Sequence, residues 1–498
     1  MMGIGYADLF RLVLPETIVV IAAFAVLAMD RLVLRNASLK VRFIAGTVLS
    51  CAGCAVAIGR LLSAPLHASV LDGMIVADAL TQLVQVALLV LTILTVVLSI
   101  DSRFTTHVGE YLLLVLLATA GMMFLVSSEN VLVIFLSLEL LSLSLYILAA
   151  FNKSSIQSAE AGLKYFLFGG MSAAFMLFGL SILYGLSGSI NLSGVAAALQ
   201  SPTLDPLLMV ALVMTVIGFG FKVAAVPFHL WAPDAYQGAP APSAALIASG
   251  SKVASFFIFA KVMMIGFAGA EGSGEFHAYS PGWVPVIAVV AAASMILGNV
   301  AAIAQSSVRR LLAYSAMAHA GYILLGILAH TRQSVAALLY YVFTYGLTTI
   351  GAFGAVAAVE AETGSDQMIT FNGLSRRAPA LSLCMLVFLL SLAGIPPLAG
   401  FFGKFYLFAA ALHTQTGGLG LLWLVILAIA MSAVSLYYYL RVLKAIYVAD
   451  PPNGAVAVKV PLVNQVVLCA IAAAVVILGC APGWLLGLID SAISSSMR

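Results

Sequence analysis

The chain has 498 residues, of which 63% are hydrophobic and only 8% are charged, and its mean hydropathy is +1.14. Soluble globular domains carry about 25% charged residues, so this composition excludes a soluble protein and predicts one that crosses a membrane many times. The formal net charge of +3 is too small to indicate a surface that binds nucleic acid.

Apolar runs follow one another along nearly the whole chain. A helix of about 20 residues crosses the hydrocarbon core of a bilayer, and fourteen runs are close to this length or longer. The predicted spans are 12–30, 41–62, 79–99, 111–127, 130–151, 161–186, 206–226, 242–267, 283–305, 311–330, 333–358, 378–410, 418–447 and 461–489. The sequence therefore predicts an all-α polytopic membrane protein with about fourteen transmembrane helices.

Prolines interrupt the seventh and the twelfth predicted spans. Val226-Pro227 lies in the seventh, and Gly394-Ile-Pro-Pro-Leu-Ala-Gly400 lies in the twelfth. Proline inside a helix removes a backbone hydrogen bond and clashes with the preceding turn. Unwound backbone at membrane depth is tolerated only where protein or water satisfies its polar groups. Both spans are therefore predicted to be discontinuous helices beside hydrated cavities.

The distribution of lysine and arginine over the loops predicts the orientation. Loops after odd-numbered spans carry thirteen of these residues: Arg31, Arg35, Lys40, Arg42, Arg103, Lys153, Arg309, Arg310, Arg376, Arg377, Arg441, Lys444 and Lys459. The other side carries four: Arg11, Arg60, Arg332 and Arg498. By the positive-inside rule the thirteen face the cytoplasm. This predicts a multi-pass protein of the cell inner membrane with both termini on the periplasmic side.

Five lysines lie within apolar spans instead of loops. They are Lys164, Lys222, Lys252, Lys261 and Lys404, and Glu139 is the clear acidic residue at similar depth. A charged side chain at the centre of a membrane helix costs roughly 2.5–3.5 kcal/mol, so such residues indicate function. Lys261 is close to the end of its span, where a static ion pair is an alternative explanation, and no role is assigned to it.

The spacing of the polar residues suggests an internal duplication. Glu139 and Lys222 are 83 residues apart, and His319 and Lys404 are 85 apart. Spans 4–8 and 9–13 are therefore predicted to be two five-helix repeats, inverted because each contains an odd number of spans. The predicted segments are 1–110 with three helices, 111–267 and 283–447 as the two repeats, and 448–498 with the last span.

Proton transfer is the chemistry that these side chains allow. Burial disfavours the charged form of lysine and a nearby carboxylate favours it, so moving a counter-charge changes proton affinity. Glu139 is the expected partner of Lys164 or Lys222. The predicted proton pathway consists of Glu139, Lys164, Lys222, Lys252, His319 and Lys404, with His229, Ser251 and Tyr314 as auxiliary residues.

No motif for catalysis, metal binding or cofactor binding is present in the sequence. There is no glycine-rich nucleotide loop and no set of histidines or cysteines at metal-ligand spacing. Cys51-Ala-Gly-Cys54 has the spacing of a redox motif but lies in an apolar span, where sulfur behaves as a small apolar group. The chain is therefore expected to take its energy from elsewhere.

The long motifs around the two breaks resemble those of a known family. The first motif is Lys222-Val-Ala-Ala-Val-Pro-Phe-His-Leu-Trp-Ala-Pro-Asp-Ala-Tyr-Gln-Gly-Ala-Pro, and it is followed by Ser251-Lys252. The second motif is Gly394-Ile-Pro-Pro-Leu-Ala-Gly-Phe-Phe-Gly-Lys404. These motifs are similar to those of the antiporter-like membrane subunits of proton-pumping NADH:quinone oxidoreductase. The resemblance covers essentially the whole chain. It implies fourteen spans, two inverted repeats and the proton pathway above.

The resemblance also implies where the redox chemistry takes place. NADH, FMN, iron–sulfur clusters and quinone would belong to partner subunits, with no cofactor in this chain. The implied partners are other membrane-arm subunits, including homologous antiporter-like subunits, and the lipid bilayer. Two alternatives remain at this stage: a subunit of a multicomponent Na⁺/H⁺ antiporter, and a structural membrane spacer that carries no protons.

Overall fold

The computed structural model describes residues 10–63, 68–199, 205–275, 279–412, 420–452 and 457–496. Helices account for most of these residues. In chain order they are α1 (Leu14–Ala28), α2 (Leu39–Leu62), α3 (Ala79–Leu98), α4 (Val108–Val126), α5 (Val131–Ala149), α6 (Ile156–Ser187), α7 (Leu192–Ala198), α8 (Pro206–Val223), α9 (Ala232–Gly238), α10 (Ala241–Ala248), α11 (Gly250–Lys261), α12 (Trp283–Ile303), α13 (Val308–Ala329), α14 (Arg332–Thr363), α15 (Leu374–Arg377), α16 (Pro379–Ala393), α17 (Ala399–Leu412), α18 (Leu422–Tyr447), α19 (Leu462–Cys480) and α20 (Pro482–Ser496).

Short elements of other types extend or connect these helices. Five-residue π-helices follow α1 at Met29–Val33 and α11 at Val262–Gly266. Short 3₁₀ turns lie at Ala268–Ala270 and Met368–Phe371. The strands β1 (Ala68–Val70) and β2 (Ile75–Ala77) pair antiparallel, with Ser69 opposite Val76.

Twelve helical segments among the described residues are long and apolar enough to cross a membrane. The all-α, polytopic membrane fold expected from composition is therefore confirmed. The first predicted span contains the 15-residue α1, and the twelfth contains the two shorter helices α16 and α17. The total of about fourteen spans, the inverted repeats and the four-segment division stay predictions.

The last predicted span, 461–489, is wrong as a single helix. Helix α19 ends at Cys480 and α20 begins at Pro482. Proline lacks a backbone N–H and is well suited to the first turn of a helix, where that donor has no partner anyway. The apolar run conceals this division because residues on both sides of it are hydrophobic.

The chain divides into two compact units. The first comprises 1–219, 238–270 and 489–498, and within it α4 packs against α1, α3, α5 and α11. The second comprises 220–237 and 271–488, and within it α13 is almost entirely buried among α12, α14, α17 and α18. Each unit therefore has a central helix with few lipid-accessible side chains.

Helices α12 and α13 approach each other closely through glycine. A Cβ atom on Gly298 would lie 2.6 Å from the backbone nitrogen of Ala318, and one on Gly321 would lie 2.7 Å from the carbonyl oxygen of Ala291. Small residues let membrane helices gain van der Waals contact where no hydrophobic effect drives association. This contact fixes the position of α13, which carries His319.

Charged side chains connect the helix ends around the start of α4. Asp30 accepts hydrogen bonds from Arg42 at 2.6 and 2.7 Å and from the backbone N–H of Gly109 at 3.0 Å. Arg31 forms an ion pair with Glu110 in the first turn of α4. The Arg42–Asp30 pair is bidentate, and a bidentate arginine–carboxylate pair fixes geometry as well as charge.

The packing of α16 against α19 gives a test by thiol cross-linking. The Sγ atoms of Cys384 on α16 and Cys469 on α19 are 3.8 Å apart. We expect mild oxidation with copper–phenanthroline to join them, because a small movement brings the two sulfurs within bonding distance. The measurement is the loss of two maleimide-reactive thiols in the denatured chain. Cys469→Ser is the control and should abolish the loss; unchanged labelling of the unsubstituted chain would contradict this packing.

Candidate functional site

Two interruptions of helical structure coincide with the prolines noted in the sequence. Helix α8 ends at Val223 and the next helix begins at Ala232, whereas α16 ends at Ala393 and α17 begins at Ala399. The residues that follow the helix ends, Ala224 and Gly394, have φ of +57° and +87°. Left-handed residues at this position end helices by turning the chain away from the axis.

The hydrogen bonds at the two helix ends follow the same pattern. Ala225 donates its backbone N–H to the carbonyl of Gly220 at 2.8 Å, and Ile395 donates to Leu390 at 3.0 Å. Both bonds span five residues, as in the Schellman motif. A cis peptide bond precedes Pro227 in one segment and Pro397 in the other. The two interruptions are therefore locally alike.

Lys404 lies on α17 and reaches back to the end of α16. Its ammonium group donates to the carbonyls of Leu392 and Ala393, both at 3.0 Å, and to the hydroxyl of Ser432 at 2.8 Å. The last carbonyls of a helix have no partner within it and carry partial negative charge, which favours a cation there. The broken helix thus creates the binding site for the buried lysine, whose exposure is 4%.

His319 is fully engaged by tyrosine hydroxyl groups. Its Nδ1 atom is hydrogen-bonded to Tyr341 at 2.6 Å and its Nε2 atom to Tyr439 at 3.2 Å. Tyr439 is also hydrogen-bonded to Ser315. All four residues are buried. Imidazole and hydroxyl groups both donate and accept, so this chain of hydrogen bonds is suited to proton relay.

Tyr322 lies between His319 and Lys404. Its ring centroid is 5.7 Å from that of His319 and 5.1 Å from the Nζ atom of Lys404. A cation over an aromatic face is stabilised by the ring quadrupole. The hydroxyl of Tyr322 accepts from Asn299, which in turn accepts from Tyr438, both at 3.0 Å. The second unit therefore contains one continuous cluster around two of the predicted residues.

Lys222 is buried in the last turn of α8, directly before the first interruption. Its exposure is 6%, and its Nζ atom lies 5.3 Å from the ring centroid of Phe221. The indole N–H of Trp231 donates to the carbonyl of Phe221 at 3.1 Å, and Ser294 accepts from the backbone N–H of Val226 at 2.9 Å. These contacts hold the unwound segment that follows the lysine.

Lys252 is buried in the first turn of α11, with 1% exposure. Its neighbour Ser251 is also buried. Helical structure is interrupted one residue before α11, at Ser249, so this lysine also lies beside an irregular point in its helix. The structure thus places Lys222, Lys252, His319 and Lys404 away from the surface.

Glu139 is half-buried on α5, and its Oε1 atom is buried without a hydrogen-bond partner among the described residues. Tyr146 lies two turns further along the same helix. A buried carboxylate oxygen without a donor is costly, so this atom requires a partner such as water or another polypeptide.

Lys164, one of the two lysines predicted as possible partners of Glu139, pairs with a carboxylate on its own helix. Lys164 forms an ion pair with Glu160 at 2.6 Å, and its side chain is 38% exposed. Helix α6 begins at Ile156, five residues before the predicted start of this span, so Glu160 lies in the helix one turn before Lys164. Glutamate four residues before lysine is a favourable arrangement on a helix.

Lys261 lies within ion-pair distance of a carboxylate, in agreement with the ion-pair alternative. Its Nζ atom is 3.0 Å from Glu129, and it lies at the end of α11, where the π-helix begins. His229 is half-buried in the unwound segment, and its Nδ1 atom is buried without a hydrogen-bond partner among the described residues. Tyr314 is half-buried and lies one turn after Arg310 on α13.

Sequence reasoning did not identify several residues of the cluster. They are Asn299, Tyr322, Tyr341, Ser432 and Tyr439. Tyrosines within apolar spans were a usable signal, because a buried phenol hydroxyl normally finds a hydrogen-bond partner. The part of the chain that the structure describes contains no group of three or more His, Cys, Asp or Glu side chains arranged to hold a metal ion.

The fold and these buried groups define a class: polytopic membrane proteins with titratable side chains beside interrupted helices. Within that class, the family described as NADH:quinone oxidoreductase/Mrp antiporter, transmembrane, matches residues 128–434. NADH-quinone oxidoreductase subunit N 2 of Acidobacterium capsulatum is 56% identical over 493 residues, which cover 97% of this chain and 99% of that protein. The chain belongs to this family of antiporter-like membrane subunits, in its NADH-quinone oxidoreductase subunit N branch.

Solved structures agree with this assignment. A chain of respiratory complex I from Thermus thermophilus superposes with a TM-score of 0.77 at 33% identity, covering 96% of this chain and 99% of that one. A chain of the Mrp complex from Dietzia sp. superposes with a TM-score of 0.80 at 19% identity, covering 97% of each. Because the identity is only 19%, the comparison with the Mrp complex chain shows a shared fold and nothing more.

Proposed function

We propose that this chain is a proton-translocating membrane subunit of NADH:quinone oxidoreductase. NADH oxidation and quinone reduction would take place in other subunits, which hold FMN and the iron–sulfur clusters, and would drive proton transfer here. The observation that carries the proposal is the buried cluster of Lys404, Tyr322, His319, Tyr341 and Tyr439, in which titratable groups are joined by aromatic and hydrogen-bonding contacts.

The pathway in this proposal has two parts. Glu139, Lys222 and Lys252 would take up and pass on protons in the first half, and His319 and Lys404 would do so in the second. Lys164, which forms an ion pair with Glu160 at 2.6 Å, belongs to the first half of the proposed pathway as well. His229, Ser251 and Tyr314 would hold water or orient neighbouring groups.

The physical basis is that opposing effects act on the charged form of a buried lysine. Desolvation disfavours the ammonium form, whereas carbonyl groups, aromatic rings and carboxylates favour it. A change in a neighbouring charge therefore changes the proton occupancy of the lysine. This requires no cofactor in the chain itself, and the orientation with both termini in the periplasm belongs to the same proposal.

Purification and vesicle assays test the proposed assembly. We expect an affinity tag on the chain to retain NADH-oxidising and quinone-reducing subunits, and vesicles containing the assembly to accumulate protons when NADH and quinone are supplied. If the chain were only a membrane spacer, the assembled Lys222→Ala variant would accumulate protons as the unsubstituted chain does. The proposed role predicts that proton accumulation in this variant falls about tenfold or more. Lys444→Ala, an exposed lysine at the end of α18, is the matched control.

The family description includes Mrp antiporters, so a Na⁺/H⁺ antiporter subunit is the second candidate. The 56% identity to a subunit N protein over nearly the whole chain favours the oxidoreductase. Retention of antiporter subunits only, together with proton movement driven by a sodium gradient and not by NADH, would contradict the proposal.

A further inference from the structure

An open cavity of 630 Å³ lies on the first unit, outside the residues of the proposed pathway. Arg31, His107, Glu110 and Lys153 line one part of it. All four lie at the ends of helices: Arg31 in the π-helix after α1, His107 and Glu110 at the start of α4, and Lys153 between α5 and α6. The polar part of the cavity is therefore at one boundary of the membrane-spanning segments.

The remaining wall of the cavity is apolar and runs along α5 and α6. It includes Ile147, Leu163 and Phe166, whose exposures are 51%, 57% and 51%. Phe166 is ten residues after the start of α6, so this wall extends about 15 Å from the helix end. Leu167, with 58% exposure, continues the apolar surface beyond the cavity.

The positive and negative charges in the polar part of the cavity do not cancel. Arg31 is paired with Glu110, and His107 also approaches Glu110, at 3.4 Å. Lys153 is exposed, and no carboxylate among the described residues pairs with it. Arg31 and Lys153 against Glu110 leave a net charge of about +1. An anion is therefore the complementary ligand.

We propose that this cavity binds an anionic phospholipid. The phosphate would lie between Lys153 and Arg31, and the acyl chains would lie along Leu163 and Phe166. Basic groups at a membrane boundary attract anionic headgroups, and an adjoining apolar wall at membrane depth suits acyl chains. The volume is within the range of about 300–1,000 Å³ that is usual for ligand sites.

The proposal depends only on residence in a membrane, and not on the proposed redox partners. Arg31 and Lys153 are on the side predicted to face the cytoplasm, where anionic lipids concentrate. A bound lipid there would contact the ends of α4, α5 and α6 and the π-helix that follows α1.

Native mass spectrometry of the purified full chain tests the site. The chain would be equilibrated with micelles containing equal amounts of phosphatidylglycerol and phosphatidylcholine. We expect retained phosphatidylglycerol to exceed phosphatidylcholine, and Lys153→Gln to lower phosphatidylglycerol occupancy about fivefold without changing that of phosphatidylcholine. Lys40→Gln, an exposed lysine in the first turn of α2 that does not line the cavity, should change neither.

A second variant separates the headgroup from the acyl chains. Leu163→Trp fills the apolar wall and should lower retention of both lipids. Equal retention of the two lipids by the unsubstituted chain, or an unchanged occupancy in Lys153→Gln, would overturn the proposal. Displacement of lipid by an equal concentration of inorganic phosphate would show a simple anion site and would also overturn it. Loss of a partner subunit from assembled Lys153→Gln, with lipid content unchanged, would assign the cavity to a protein instead.

Discussion

Replacement of Lys404 by arginine is expected to stop coupled proton translocation while the chain still folds and assembles. Arginine keeps a positive charge and N–H donors for the carbonyls of Leu392 and Ala393, but it does not release a proton at any physiological pH. If Lys404 exchanges protons, proton accumulation in vesicles should fall at least about tenfold, as for the loss of a general acid–base group. If Lys404 is only a static cap of α16, the variant should retain most of its activity.

Lys404→Met completes this experiment. Methionine removes both charge and donors, leaving two carbonyls and the Ser432 hydroxyl without a partner, at a cost of about 1–3 kcal/mol for each group. We expect this variant to be inactive and also less stable to heat. Lys444→Met, on the exposed surface at the end of α18, is the matched control and should change neither property. Assembly of each variant is measured by native gel electrophoresis before its activity is compared.

Replacement of Glu139 by glutamine is expected to have the second-largest effect. The side chain supplies a negative charge in a half-buried position, and one of its oxygens has no donor among the described residues. Glutamine removes the charge and keeps the shape, whereas aspartate keeps the charge on a shorter side chain. NADH-driven proton accumulation should therefore fall about tenfold or more in Glu139→Gln and clearly less in Glu139→Asp.

Glu160 provides the control for this comparison. It lies on the neighbouring helix α6 and pairs with Lys164 at the surface, so Glu160→Gln should change proton accumulation little. Equal losses in Glu139→Gln and Glu139→Asp, both in correctly assembled enzyme, would show that keeping the charge does not preserve activity and would contradict the electrostatic role of Glu139.

The membrane fold and the depth of the key lysines were predictable because the bilayer imposes simple conditions. Length and hydropathy identified the spans, and the high cost of buried charge singled out Lys222, Lys252 and Lys404. The same reasoning overlooked the ion pair of Lys164 with Glu160, because the predicted span began at residue 161 whereas α6 begins at Ile156. Helix ends are set by capping and local geometry, which hydropathy does not register.

The partners of the buried groups were not predictable from local pattern. His319 is hydrogen-bonded to Tyr341, 22 residues away, and to Tyr439, 120 residues away. Such contacts depend on how α13, α14 and α18 pack, and no sequence periodicity specifies that arrangement. The acceptors of Lys404 were hidden for another reason: they are backbone carbonyls, which every residue has and which become available only where α16 ends.

The position of Lys404 at the end of α16 has a mechanical consequence. Its ammonium form has three N–H donors for three acceptors, the two carbonyls and the Ser432 hydroxyl. The neutral amine has only two, so each departure of a proton leaves one acceptor without its donor. If Lys404 gains and loses protons as proposed, each change at its nitrogen atom would alter how the end of α16 is held.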